Sequence, residues 1–167
     1  MTHVDLRPLT PADRNWVRQF IITHWGGEDM VVHGQIFRPH EHEGIAAYDG
    51  EQTVGLITYR VDSASSTSKA GEILSLDSLR EGEGIGTALL SAAIAAVRAC
   101  VCTQLTLVTT NDNIRALAFY QKRGFVIAAV RLGAVAAARR FKPTIPLVAE
   151  NGIPIRDEIE MAIDLSA

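Results

Sequence analysis

The 167-residue chain is poor in the groups that most quickly mark a chemistry. It has only two cysteines, Cys100 and Cys102, too close in sequence for an unstrained disulfide or a metal knuckle, so both read as small apolar side chains near a helix end. Histidine is absent after position 42. The triplet His40-Glu41-His42 has no further ligand cluster beside it, and no metal site is expected. Apolar runs such as Ala92 to Val97 fall far short of the roughly 18 residues of a membrane span, and no basic-then-apolar leader opens the chain. Charge of either sign is nearly balanced, with 16 Lys and Arg against 19 Asp and Glu, so there is no basic field to hold nucleic acid or an anionic membrane. These absences predict a cytoplasmic protein with neither nucleic acid nor membrane as partner. Any anionic ligand has to be held locally.

What is present is ordinary globular composition, 47% hydrophobic and 21% charged, at the length of one domain, so residues 1–167 are expected to form a single unit. Val4 to Arg7 reads as a strand. Thr10, Pro11 and Asp13 then give an N-cap, a first-turn proline and a capping partner for a helix whose apolar stripe runs Trp16, Val17, Phe20, Ile21 to a stop at Gly26-Gly27. The stretch from Glu28 to Glu43 lacks a period. Gly44 to Tyr48 and Val54 to Val61 read as a hairpin joined by a loop around Asp49-Gly50, and the polar residues from Ser63 to Lys69 as a turn before a strand from Glu72 to Leu79. Further on come a helix marked by Ile85, Leu89, Ala93 and Val97, a strand from Leu105 to Thr109, and a helix from Ile114 to Arg123 capped by Asn111 or Asn113 and closed by Gly124. A strand from Phe125, helix-forming composition from Ala134 to Lys142 and a last strand from Arg156 to Leu165 complete the order. This order predicts an α/β domain: a mixed sheet with helices on its faces.

The segment Gly82 to Leu90, GEGIGTALL, sets three glycines at alternate positions just before a helix. Backbone N–H groups there can approach a phosphate unobstructed by Cβ atoms, each charge-assisted bond contributing about 1.5–3 kcal/mol. Two nucleotide fingerprints fail on this loop. The dinucleotide pattern needs a third glycine where Leu89 or Thr87 stands, and the P-loop needs Gly-Lys-Ser/Thr.

The strand GEILSL, the loop EGEGIGTALL and the later NDNIRALAFYQKRGF together resemble the GNAT superfamily of N-acetyltransferases, with Asn113, Ala116, Phe119, Tyr120, Gly124 and Phe125 on the family's spacing. The resemblance runs from Glu72 to Phe125. It implies a single GNAT-like domain with a mostly antiparallel sheet and one splayed parallel strand pair, in whose gap acetyl-coenzyme A lies as co-substrate. The pantetheine arm would then meet backbone at Leu76, Asp77, Ser78 and Leu79 and the side chain of Asn113. The pyrophosphate would rest on Gly82, Glu83, Gly84, Ile85, Gly86 and Thr87. One departure from the family pattern is the acidic pair Glu81 and Glu83 in the loop, for which Arg80 is the compensating cation.

An alkyl amine with a pKa of about 10 is protonated at neutral pH, so transfer to it needs a base. The resemblance implies a strand carboxylate for this role. Glu72 is preferred and Asp77 is the second candidate, placed on the opposite face of the strand unless a bulge reverses the parity. Tyr120 takes the family's position for the acid that protonates the departing thiolate. Lys122 and Arg123 close the same helix, where cations suit its dipole. His24 and His33 are either acceptor-pocket walls or packed side chains. The expected acceptor is a small-molecule amine or a protein N-terminus, with a homodimer left open. The alternative function is a non-catalytic module that binds or senses acyl-coenzyme A.

Overall fold

The computed structural model describes residues 4–62 and 69–167; six residues of the polar turn expected before the strand that holds Glu72, 63–68, lie outside them. Strand β1 (Asp5–Pro8) leads into the predicted capping motif, in which Asp13 Oδ2 accepts from the Thr10 N–H at 2.7 Å and the Thr10 hydroxyl at 2.8 Å. The motif closes one 3₁₀ turn, Pro11–Asp13, before helix α1 (Arg14–Trp25) begins. Gly26, at φ 74°, ends α1 in the left-handed conformation with its N–H on the Ile22 carbonyl.

The aperiodic stretch after α1 holds a separate two-stranded hairpin, β2 (Met30–Val32) and β3 (Gln35–Phe37). Its turn residues His33 and Gly34 have φ of 55° and 70°, the pair of positive values that a tight hairpin turn requires. Strands this short leave no period to read. Strands β4 (Glu43–Asp49) and β5 (Gln52–Asp62) follow, joined more tightly than expected: Asp49 pairs with Gln52 across only Gly50 and Glu51.

Next come β6 (Lys69–Ser78), α2 (Ile85–Ala99), β7 (Cys102–Thr110), α3 (Ile114–Gln121), β8 (Val126–Arg131), α4 (Ala134–Ala138) and β9 (Glu158–Asp164). Helix α4 stops short of the predicted Lys142. The Arg139 guanidinium instead donates to the carbonyls of Ile145, Pro146 and Ile155, and Pro143 restricts the residue before it.

The main sheet has the order β1-β4-β5-β6-β7-β9-β8. Every pair is antiparallel except β6 with β7, which α2 joins by the crossover that parallel strands need. That parallel pairing runs only from Lys69↔Cys102 to Ile73↔Leu107. Beyond it β6 stays paired with β5 as far as Gly55↔Ser78, and β7 stays paired with β9 as far as Thr110↔Glu158. The two strands therefore part, each still fastened on its outer side. A bulge accompanies the split: Thr58 faces Ser75 while Tyr59 faces Ile73, leaving Leu74 extra on β6. Glu72, opposite Arg60, and Asp77, opposite Leu56, consequently share one face of the sheet.

Helix α2 lies on the other face and buries Ile85, Leu89, Leu90, Ala93 and Val97. It sits close because two strand residues beneath it lack side chains. A Cβ at Gly55 would come within 2.8 Å of Ile85 Cγ2 and 2.9 Å of Leu89 Cδ1, and one at Gly71 within 2.5 Å of Val97 Cγ1. Helix α1 packs Val17 and Ile21 on Ala46 and Leu56 of the opposite face, so the sheet is covered on both sides.

At the far end of α2, Val101 has φ 62° and is 76% exposed. A β-branched residue is strained in the left-handed region that a helix end usually gives to glycine, and here no packing offsets the strain. Val101→Gly is expected to raise unfolding stability by about 1 kcal/mol despite glycine's larger unfolded-state entropy, as urea denaturation would measure.

Candidate active site

The start of α2 is built to receive an anion. Gly82 and Gly84 take φ of 76° and 79°, and the first intrahelical bond is Ala88 N–H to Gly84 O at 3.0 Å, so the N–H groups of Ile85, Gly86 and Thr87 precede the helical ladder. Ile85 contributes backbone alone, because its side chain is buried in the core. Thr87 Oγ1 accepts from Arg123 Nη2 at 2.5 Å, and the Arg123 guanidinium lies 3.7 Å above the Phe119 ring. Arg123, just past the end of α3, thus stands beside the loop.

The acidic loop residues are matched by arginines. Glu81 accepts from Arg115 Nη1 at 2.8 Å, while Arg80 Nη1 lies 2.6 Å from Asp49 and 3.8 Å from Glu83. Exposed pairs such as these contribute little stability, but they turn the carboxylates toward fixed cations. Arg115 went unnoticed in the sequence, although it follows the cap Asn113 by two residues.

On the α2 and α3 side of the split strands is a cavity of about 360 Å³. Leu76, Ser78, Gly86, Asn113, Phe119 and Tyr120 line it, so five of the residues expected at the coenzyme, Leu76, Ser78, Gly86, Asn113 and Tyr120, come together from distant segments. Leu79 is exposed at the strand end, its N–H on Val54 O at 2.9 Å. Asn113 caps α3 by accepting from the Ala116 N–H at 3.2 Å. Tyr120 is 7% exposed between the Phe119 and Phe125 rings, with centroids at 5.1 and 5.4 Å. Burial, with a smaller contribution from Asp77, raises its hydroxyl well above the usual 10. The phenol stays protonated at neutral pH and can donate.

Asp77 and Glu72 share the α1 face but not an environment. Burial pushes the Asp77 carboxyl up, opposed by the Trp25 indole N–H at 3.1 Å from each oxygen and by His24. Glu72 is committed on both oxygens. Oε1 lies 2.9 Å from His33 Nε2, and Oε2 receives Arg60 Nε at 2.9 Å and Nη2 at 2.7 Å. Because His33 is the tip of the β2–β3 turn, Glu72 ties that hairpin to the sheet. His24 stacks against Phe20, with centroids 4.3 Å apart.

A second cavity, of about 260 Å³, opens on this face between the β2–β3 hairpin, β7 and α4. It shares Asn113 with the first cavity, and it touches Trp25, the residue that holds Asp77. Trp25, Arg60 and Glu158 are the residues here that the sequence reading missed. Their signals were faint: an aromatic at a helix end, opposite charges on neighbouring strands, and an acid in the last strand. A third cavity, of about 330 Å³ between α1 and the segment from His40 to Glu43, touches neither Tyr120 nor Asp77.

The same architecture recurs among acetyltransferases. The IAA acetyltransferase from Bacillus cereus ATCC 14579 matches with a TM-score of 0.69 at 20% identity, over 97% of this chain and 99% of that one. A GNAT family acetyltransferase from Elizabethkingia anophelis with acetyl-CoA bound matches with a TM-score of 0.65 at 20% identity, over 98% and 99% of the two chains. In sequence, the Acetyltransferase (GNAT) family matches residues 11–125, which hold the glycine loop, β6, β7 and α3, and the chain belongs to that family. The uncharacterized protein YdhI of Bacillus subtilis (strain 168) is 48% identical over 153 residues, 91% of this chain and 92% of YdhI.

The raised Asp77 carboxyl has a consequence for stability. A folded-state pKa above the unfolded value means that the charged form costs stability once the pH exceeds the folded pKa, and that the cost vanishes below the unfolded pKa. Asp77→Asn, which keeps an acceptor for Trp25, should melt higher than wild type at pH 7. That advantage should shrink toward zero as the pH falls through the carboxyl titration, as thermal scans over pH 3–8 would record.

Proposed function

We propose that this protein transfers an acetyl group from acetyl-coenzyme A to a primary amine without a covalent enzyme intermediate. The observation that carries this reading is the meeting of two cavities at the β6–β7 split, with Tyr120 on one side and Asp77 held by Trp25 on the other. The residues present suit the coenzyme. The leading N–H groups of α2 and the guanidinium of Arg123 beside Thr87 answer a pyrophosphate, and Asn113, Leu76 and Ser78 line the path of the arm. When bound, acetyl-coenzyme A supplies the acyl group as a thioester, to which the amine nitrogen bonds as the C–S bond breaks.

The chain's own groups move the protons. Asp77, kept receptive by burial, accepts one proton from the acceptor ammonium at its carboxylate and passes it to solvent. Tyr120 donates its hydroxyl proton to the departing sulfur and is restored by the second proton of the amine nitrogen. Glu72 acts as a positioning residue: with both oxygens engaged by His33 and Arg60, it fixes the hairpin wall of the acceptor cavity. A module that only binds acyl-coenzyme A would have no use for a proton donor and a half-buried carboxylate flanking the split.

Tyr120→Phe keeps the ring packing, and should lower kcat by roughly 10² to 10⁴ with coenzyme affinity almost unchanged. Asp77→Asn should lose rate most at neutral pH and recover as rising pH frees the amine, whereas Glu72→Gln should act mainly on the amine KM. A pH–rate series with an accepted amine separates these outcomes, and a pH-dependent loss confined to Glu72→Gln would move the base there. Gly86 tests the coenzyme side. A Cβ there would lie 3.5 Å from Phe119 and point a longer side chain into the gap. Gly86→Leu is expected to weaken coenzyme A binding at least tenfold in calorimetry with little change in melting temperature.

A further inference from the structure

The cavity on the α1 face carries a group that the transfer chemistry leaves unused. Its wall is largely apolar, with Val31, Val32, Val108, Val135 and Ile155, yet Glu158 stands in it. Glu158 is 5% exposed, and among the described residues its Oε2 has no hydrogen-bond partner. Neighbouring cations do not bond to it. Arg131 lies opposite Glu158 across the β8–β9 pair and gives Nη2 to Glu160 at 2.7 Å, while its own buried Nη1 is, like Glu158 Oε2, without a partner among the described residues. Lys142 lines the same cavity and directs Nζ to the carbonyl oxygens of Trp25 and Asp29, at 3.4 and 3.1 Å. A buried carboxylate left in this condition lowers stability, and folds keep such groups where a ligand uses them.

Its position relates it to the reaction. Glu158 pairs with Thr110, the last residue of β7, so it sits on the arm of the split facing away from β6. The cavity reaches Asp77 through Trp25 and the coenzyme gap through Asn113. Glu158, α4 and Lys142 all lie beyond residue 125, where the family match ends.

We propose that this cavity takes a small primary amine with an apolar body, and that the Glu158 carboxylate receives its positive charge. The proposal rests on the acetyl-transfer reading and names the acceptor class for it. Apolar walls take the carbon skeleton, and the low-dielectric surroundings strengthen the attraction between carboxylate and ammonium. On the acetyl-transfer reading the nitrogen leaves Glu158 before it gives its proton to Asp77, which lies behind Trp25 and does not line this cavity.

Binding can be measured without turnover. Butylamine, hexylamine, benzylamine and phenethylamine, each beside the alcohol of the same skeleton, are titrated into a Trp16→Phe background in which Trp25 is the remaining tryptophan, its fluorescence being followed with calorimetry on the unmodified protein as a check. At least one amine should bind ten times or more tightly than its alcohol. Glu158→Gln should erase that margin while leaving alcohol and coenzyme A affinities unchanged, and Val32→Phe, which fills the cavity from the hairpin, should exclude both. Equal affinity for amine and alcohol in the wild type, a margin that survives Glu158→Gln, or binding that survives Val32→Phe each overturns the proposal. Amines that bind with the margin but release no thiol from acetyl-coenzyme A would leave this site standing and remove the transfer reading instead.

Discussion

Parallel hydrogen bonding between β6 and β7 ends at Ile73 and Leu107 while both strands continue, and the functional architecture follows from that ending. A sheet usually closes such an opening, because backbone groups inside a protein need partners. Here the outer pairings, β5 with β6 and β7 with β9, hold the two arms apart to their tips. The opening is therefore a rigid element of the sheet. It lets one face communicate with the other, and it has the glycine loop and α3 above it on one side and the β2–β3 hairpin and α4 on the other.

The acidic residues around this opening are sorted by their partners. Glu81 and Glu83 face arginines at the surface, Glu72 is saturated by Arg60 and His33, and Asp77 has only an indole N–H and a distant histidine to set against its burial. Groups of the same chemical type thus acquire different tasks from their surroundings. Glu72 joins the β2–β3 turn to the sheet through His33, whereas the Asp77 carboxyl is raised by burial, the contrast on which the proposed roles rest. The burial that raises the Asp77 carboxyl also raises Tyr120, which keeps the phenol protonated while making it a weaker acid.

The legible parts of the sequence were the local ones. Gly82 to Thr87, the cap at Asn113 and the stop at Gly26 each declare themselves within a few residues, and the structure places them as read. The order of strands and helices, and with it the fold class, followed from periods of two and of three to four residues. Two things escaped. The hairpin of β2 and β3 is too short to show a period; the bulge at Leu74, which brings Glu72 and Asp77 to one face, was open only as an alternative, because the residues that form it carry no marker. The partners of the site are also remote: Trp25 meets Asp77 from 52 positions away and His33 meets Glu72 from 39, contacts that exist only once the sheet has formed.

The bare positions under α2 deserve a mechanical reading. Gly55 touches Ile85 and Leu89, in the first turns of the helix and directly beneath the loop that offers its N–H groups. The distance between strand and helix there sets how high those donors stand above the split. A single methyl group at position 55 would act as a shim, tilting the helix by its leading end and moving its free N–H groups relative to the split. On the proposed reading those groups hold the pyrophosphate, so a residue in the floor of the sheet would govern the grip on a ligand it does not touch.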